Sequence, residues 1–429
     1  MGYLEACDTL INEPNPFRMD IERANALRFE AIGGSFEHHY ANNAIYRAFC
    51  EAMHVKPDDI KTFDDMPKIA LITSEFFKQI SAHSDEKDLK RIISVPPESI
   101  IQYFTTSGTT GKPSKYPFDR DSLIRLSKSN AQILKCIGDV SDDDKYVFLT
   151  ADPKHTPTGL VHGMYQSIET NIGKERAKEQ VRFAISTDES GKSHYQIDKI
   201  LNFLAEGGVV HLFGPPFAYQ DVAKALKDSR TEVRMGEQSK AFTSGGWKGR
   251  QHEMITPREL NAMIKDAYGI EECNVRDGLG LTDIFSWMLE CEHKRKHVPP
   301  WMHVSPRLES DNMEDIKIMM PQGQQGVIAF LTPIISSYPA FITTSDLGSL
   351  TTGFDEKCEC GNIGPTVKYG GRSGEPRGCA LVEMEKMQRS IFDMGGGNIG
   401  SAKLADELAA TAQKGPKAVS NRYEGHAVA

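Results

Sequence analysis

No apolar run in this chain approaches the roughly 20 residues of a membrane-spanning helix. No block of lysine and arginine marks a nucleic-acid surface. Neither a membrane span nor a nucleic-acid partner is therefore expected. Cysteine is sparse: eight among 429 residues do not read as a disulfide framework. The first residues, Met1 to Asp8, lack a basic region and an apolar core, so no secretory leader is expected, and Ala6 breaks the myristoylation pattern. A reducing cytoplasm is the setting these absences favour. No internal repeat and no low-complexity segment is found. The net charge of −9 comes from scattered signs. A chain of this length exceeds one ordinary core, so two or more subdomains are expected.

The most informative stretch runs from Tyr103 to Lys115. Ser, Thr and Gly fill positions 105–111, with Lys112 and Lys115 following. Gly108 and Gly111 allow backbone angles that side chains forbid. Backbone N–H groups, hydroxyls and ammonium groups are what a polyphosphate needs around it. A plain solvated loop has a similar composition, but the context favours phosphate. Residues 99–104 read as a strand entering the loop. Residues 119–137 read as a helix leaving the region, with Leu123, Leu126, Ile133, Leu134 and Ile137 apolar and Gly138 as the stop. The Walker A pattern is excluded, because only two residues separate Gly108 from Gly111 and Pro113 stands where Ser or Thr should be.

Thr106, Ser107, Gly108, Thr109, Thr110, Gly111, Lys112 and Lys115 closely resemble the phosphate loop of adenylate-forming enzymes. From about Phe36 to Cys379 the chain looks most like the LuxE-type acyl-protein synthetases, with phenylacetate-CoA ligases next nearest. The resemblance implies an α/β fold. A helical lead-in (1–95) would precede an adenylation core (96–371) of mixed, largely parallel sheets with helices. That core would include a small β-rich subdomain from about 310. A hinge and a truncated C-terminal piece (372–429) would follow.

The residue pattern agrees with that outline. Ala41 to Met53 is apolar on one helical face, Tyr146 to Thr150 and Val209 to Phe213 read as strands, and His194 to Glu206 reads as a helix stopped by Gly207 and Gly208. Thr256, Pro257 and Glu259 form a helix start, and Gly269 ends that helix. Such alternation implies a parallel sheet with ligands at the carboxyl ends of its strands, where the 105–112 loop is expected to sit. Residues 316–320 and 326–331 read as two strands of the β-rich part.

Further roles follow from the resemblance. In the stretch Asp277 to Asp283, Thr282 takes the place of the threonine on the α-phosphate, and Asp283 replaces the family's Glu on Mg²⁺. Leu279 replaces an aromatic that stacks on adenine, which puts stacking there in doubt. A Gly-containing turn before a buried segment is the plain alternative. Asp346, in Thr343 to Gly348, is expected on the ribose hydroxyls, since a carboxylate offers two acceptor oxygens. Thr243 to Lys248, with Gly245 and Gly246, resembles the segment lying along adenine and the acyl group. Arg372 matches the family's hinge, and no convincing lysine motif follows it. Cys379 lies where acyl-protein synthetases carry an acyl-accepting cysteine, and a thiolate suits that chemistry. A small buried cysteine is the other reading.

A metal site is read from ligand type. Cys291 and His297 form one short pair, Cys358 and Cys360 another, and His293 is the substitute for His297. Two separated pairs suit a closed tetrahedral structural zinc. The expected activity is ATP- and Mg²⁺-dependent activation of a carboxylic acid, fatty or otherwise apolar, as acyl-AMP. The acyl group would then pass through Cys379 to a thiol on an acceptor protein, a reductase or carrier. An aryl- or acyl-CoA ligase and a nucleotide-binding module without catalysis are the alternatives.

Overall fold

Alternation of side chains sets the sheet. In Lys145–Ala151, Tyr146 and Phe148 join one core while Val147 and Leu149 join another on the opposite face. Phe213 and Phe242 face the first core; Val210, Leu212 and Ala241 face the second. A strand with both faces apolar is one that helices must cover twice, as in parallel sheets. Phe148, Phe183, Phe213 and Phe242 stack across neighbouring strands, with Phe213 and Phe242 centroids 4.6 Å apart.

The computed structural model describes residues 2–83, 86–106, 114–153, 159–187, 193–233, 235–247, 249–372 and 379–395. Within them, thirteen strands form one mixed sheet, and a separate two-stranded hairpin stands beside it. One half of the sheet is parallel. Val181–Thr187, Lys145–Ala151, Val210–Gly214, Ala241–Ser244 and Val275–Leu281 lie side by side there. The helices Ile197–Ala205, Pro216–Ser229 and Pro257–Tyr268 bury their apolar faces on it. The other half, from Ser286–Glu290 through Lys296–His297, Thr366–Arg372, Phe341–Thr352 and Gly326–Leu331 to His303–Arg307, is antiparallel. Among the described residues the antiparallel half carries one parallel pairing, the two-residue strand Ile72–Thr73 against Phe341–Thr352. The β-rich part after residue 303 continues the same sheet.

The lead-in is helical, with Tyr3–Asn12, Ile21–Asn42 and Ala44–Ala52 as its first helices. Asn43 separates the last two, and its side chain accepts the Tyr46 N–H at 2.9 Å as the new N-cap. The helix Pro257–Tyr268 has the expected capping box: Thr256 N–H donates to Glu259 Oε2 at 2.7 Å, and Glu259 N–H donates to Thr256 Oγ1 at 3.2 Å.

Two expectations fail. Residues 316–320 do not form a strand: Met313–Lys317 is a 3₁₀ turn, and Met319 makes one isolated bridge to Arg307. Asn312, which caps the turn by accepting the Glu314 N–H at 3.1 Å, favours that turn over extension. The phosphate-loop segment also does not end a parallel strand. Ile100–Thr105 and Lys115–Asp119, which flank it, are antiparallel partners in the separate hairpin. The helix that follows is Arg120–Cys136.

The last described helix, Cys379–Asp393, docks on the body. Buried Gln388 donates to Leu71 O at 2.8 Å and accepts from Thr73 N–H at 3.1 Å and Thr73 Oγ1 at 3.0 Å.

Candidate active site

The hairpin stem positions the loop. Thr106 N–H donates to Ser114 O at 3.0 Å, and Ser114 N–H donates to Thr106 Oγ1 at 2.9 Å. Thr106 and Lys115 therefore stand at the two ends of the segment, with Lys115 exposed. Ser107, Gly108, Thr109, Thr110, Gly111 and Lys112 lie outside the described residues.

The inner face of the stem packs on the turn that joins Val275–Leu281 to Ser286–Glu290. The centroids of Phe104 and Phe118 lie 4.7 and 4.6 Å from that of Phe285. Phe285 has φ +45°, the left-handed geometry that a four-residue turn needs here. Thr282 and Asp283 occupy this turn. The buried Tyr116 hydroxyl, on the strand leaving the loop, donates to Asp283 Oδ1 at 2.5 Å. Tyr338 O–H donates to the Asp283 carbonyl at 3.1 Å. Burial pushes the Asp283 carboxyl above its ordinary range; the Tyr116 hydrogen bond and the charge of Lys78 oppose this, and the charge of Asp346 adds to it. The two acids therefore share one electrostatic neighbourhood.

Gly245 and Gly246 follow Ser244 at the carboxyl end of a parallel strand, with φ +84° and +59°. Ser244 is the register partner of Gly278, so this turn runs beside the 278–283 stretch. Thr243 Oγ1 donates to Asp277 Oδ1 at 2.7 Å. Leu279, in the aromatic's place, is partly buried against the main core. Asp346 is buried on Phe341–Thr352. It accepts from Tyr369 O–H at 3.0 Å and from Arg372 Nε at 3.3 Å. Asp346 and Arg372 are thus brought together. Cys379 opens the helix Cys379–Asp393; its side chain lies outside the described residues.

The metal-type cluster is a second site. Ligand atoms of Cys291, His297, Cys358 and Cys360 all lie within 4.8 Å of one another. Cys291 Sγ is 3.9 Å from Cys358 Sγ, and Cys360 Sγ is 3.3 Å from His297 Nε2. Three thiols and an imidazole are a soft donor set suited to zinc. His293 points elsewhere, with Nδ1 3.3 Å from Glu359. The hydrogen bond with Cys360 pulls the Cys291 thiol below its ordinary range. Burial lowers the His297 imidazole, and its bonds to Cys291 and Cys358 more than offset this.

Sequence reasoning missed Tyr116, Tyr338, Glu290 and Lys296. Each is a single residue outside a recognisable motif. The folded contacts reveal them: Tyr116 and Tyr338 meet Asp283 from distant positions in the chain, and Glu290 and Lys296 are register partners on neighbouring strands.

Comparison with known proteins gives a consistent picture. The family model described as "Acyl-protein synthetase, LuxE" matches residues 4–388. A long-chain-fatty-acid–luciferin-component ligase of Aliivibrio fischeri is 25% identical over 390 residues, 90% of this chain and 95% of that protein. The namesake ligase of Vibrio harveyi is 22% identical over 342 residues, 80% of this chain and 84% of that protein. A solved 2-hydroxyisobutyryl-CoA ligase, in an open conformation with its acyl-AMP and CoA, superposes with a TM-score of 0.60 at 15% identity. It covers 81% of this chain and 75% of its own.

Proposed function

The chain belongs to the LuxE acyl-protein synthetase family and is an adenylate-forming ligase, and from that premise we propose how its residues divide the reaction. ATP binds with its β- and γ-phosphates against the 106–115 segment, its α-phosphate near Thr282, its ribose on Asp346 and its base along Gly245 and Gly246. Lys112 and Lys115 supply positive charge, and Arg372 orients Asp346. Mg²⁺, held by Asp283, would neutralise phosphate oxygens when bound. A carboxylate oxygen of the acid attacks the α-phosphorus. The bond to the bridging oxygen breaks, and pyrophosphate leaves with that electron pair. Binding two anions side by side is unfavourable in water, so positioning and cationic stabilisation are the protein's contribution.

The second step belongs to Cys379. Its thiolate attacks the acyl carbonyl and AMP departs, leaving a thioester. A thiol of the acceptor protein then takes the acyl group and Cys379 regains its thiolate. The acid is proposed to be a fatty acid, as in the names of the relatives. Cys291, His297, Cys358 and Cys360 are the proposed ligands of a closed structural zinc.

The observation that carries this reading is the docking of the phosphate-loop stem on the 282–285 turn, fastened by Tyr116 on Asp283. Acid-dependent exchange of labelled pyrophosphate into ATP tests it. Exchange should appear with long-chain acids, and an inert enzyme across a panel of short, aromatic and long acids would sink it. Free CoA as the preferred acceptor, with no acylated Cys379, would replace the second step by one of the phenylacetate-CoA ligase type.

A further inference from the structure

The metal-type cluster is not remote from the nucleotide segments. Cys291 directly follows Glu290, the last residue of one strand, and His297 directly follows Lys296 in the next. Glu290 and Lys296 are register partners in a pairing only two residues long. So short a pairing has little stability of its own. Lys296 is buried, and its Nζ reaches Glu290 Oε1 at 2.7 Å and Asp277 Oδ2 at 3.0 Å. Glu290 Oε2 accepts the Asp277 N–H at 2.9 Å. Asp277 Oδ1 in turn accepts the Thr243 hydroxyl. One ammonium and one carboxylate, each adjacent in the chain to a thiol or imidazole of the cluster, therefore grip the residue that opens the 277–283 stretch. Through Thr243 they also grip the strand that delivers Gly245 and Gly246.

We infer that the zinc-bound cluster braces the nucleotide pocket, with Lys296 as the positioning residue that transmits the brace to Asp277 and Thr243. The inference rests on the proposed ATP site. A metal joining Cys291 and His297 closes the end of the short hairpin and holds Glu290 opposite Lys296. Without it the pair is free to separate. The buried Lys296 charge then loses its partners, a loss felt at Asp277 before anywhere else.

The test compares four proteins: the parent, Lys296→Met, Thr243→Val, and the double variant Cys358→Ser, Cys360→Ser. Zinc content after desalting, ATP affinity by titration calorimetry, and KM and kcat for ATP are measured on each. The parent should carry zinc and bind ATP. Lys296→Met should keep zinc but bind ATP about tenfold more weakly, the scale of one lost charged hydrogen bond. Its KM should rise more than its kcat falls. The double variant should lose zinc and show a similar weakening. ATP binding within twofold of the parent, in either Lys296→Met or the zinc-free protein, overturns the brace. Should Lys296→Met fail to fold, Thr243→Val decides: severalfold weaker ATP binding with zinc retained supports the brace, and parental affinity overturns it. A parent that binds zinc but no ATP sinks the adenylation reading itself, and the parent's own titration reveals that.

Discussion

Replacing Tyr116 by Phe removes one oxygen from a fully buried site. The ring stays, with its packing on Phe77 at 5.1 Å, Tyr338 at 5.6 Å and Phe285 at 6.0 Å. What is lost is the hydroxyl that donates to Asp283 Oδ1 at 2.5 Å. A hydrogen bond to a charged group contributes about 1.5–3 kcal/mol. At about 1.4 kcal/mol per factor of ten, that is about 10- to 150-fold in an equilibrium or rate. Asp283 keeps the Tyr338 bond to its backbone carbonyl, so the turn remains while the carboxylate is freed to rotate. If Asp283 holds Mg²⁺ against the triphosphate, the loss should appear as a higher half-saturating Mg²⁺ concentration, up by about tenfold or more. Pyrophosphate release measured across a Mg²⁺ series, beside a urea unfolding curve, separates the cases. A variant whose Mg²⁺ dependence and rate stay within twofold of the parent, while its urea midpoint drops, would refute the role given to this pair.

Cys379→Ser should abolish a hydroxylamine-labile acyl label while acid-dependent pyrophosphate exchange persists; normal acyl transfer by the variant would remove the thioester step. Gly278→Ala should destabilise by about 1–3 kcal/mol in chemical unfolding, because a Cβ there would lie 2.7 Å from Trp287 Cε3. Gly33→Ala, in the helix Ile21–Asn42 with open space around it, should instead stabilise by about 0.5–1 kcal/mol. Burial holds the His39 and His303 imidazoles well below their usual range. The unfolded chain then takes up protons that the folded one refuses. The stability these two residues carry is complete above about pH 6.5 and is lost as pH falls below it, by up to about 1.4 kcal/mol per pH unit for each. Urea midpoints between pH 7 and pH 5 should fall in His39- and His303-containing protein, and a flat profile would contradict the burial argument.

Local rules made much of the fold legible. The helix Pro257–Tyr268 carries its start, stripe and stop in consecutive residues, so its bounds come within a residue or two of the pattern. Arg120–Cys136 is similar, with Asp119 accepting the Ser122 N–H at 2.8 Å as its cap. Lys115–Asp119 is hidden in the sequence, because Pro117 argues against a strand and only an edge tolerates it. The hairpin is such an edge structure. The 316–320 reading failed because alternating apolar residues there match a strand while the local Asn312 cap commits the backbone to a turn. The metal-type residues were readable from ligand type. The choice between His293 and His297 was not, since it depends on which way a short hairpin faces.

The docking of Cys379–Asp393 constrains any mechanism that uses Cys379. Gln388 fastens this helix to Thr73 and Leu71, and Thr73 is the register partner of Thr343 on the strand that carries Asp346. Three buried hydrogen bonds oppose a swing of the helix as a rigid piece, at about 0.5–1.5 kcal/mol each. Arg372, which donates to Asp346, lies seven residues before Cys379. At about 3.3–3.6 Å per residue, that length of chain spans at most about 25 Å. A thiol at the first residue of a docked helix is thus tethered from both sides within reach of the proposed ribose ligand. On the proposed role of Cys379, the docked helix limits how far its first residue can travel from the body. If Cys379 carries the acyl group as proposed, the same tether requires any acceptor to approach close to the body on which the helix docks.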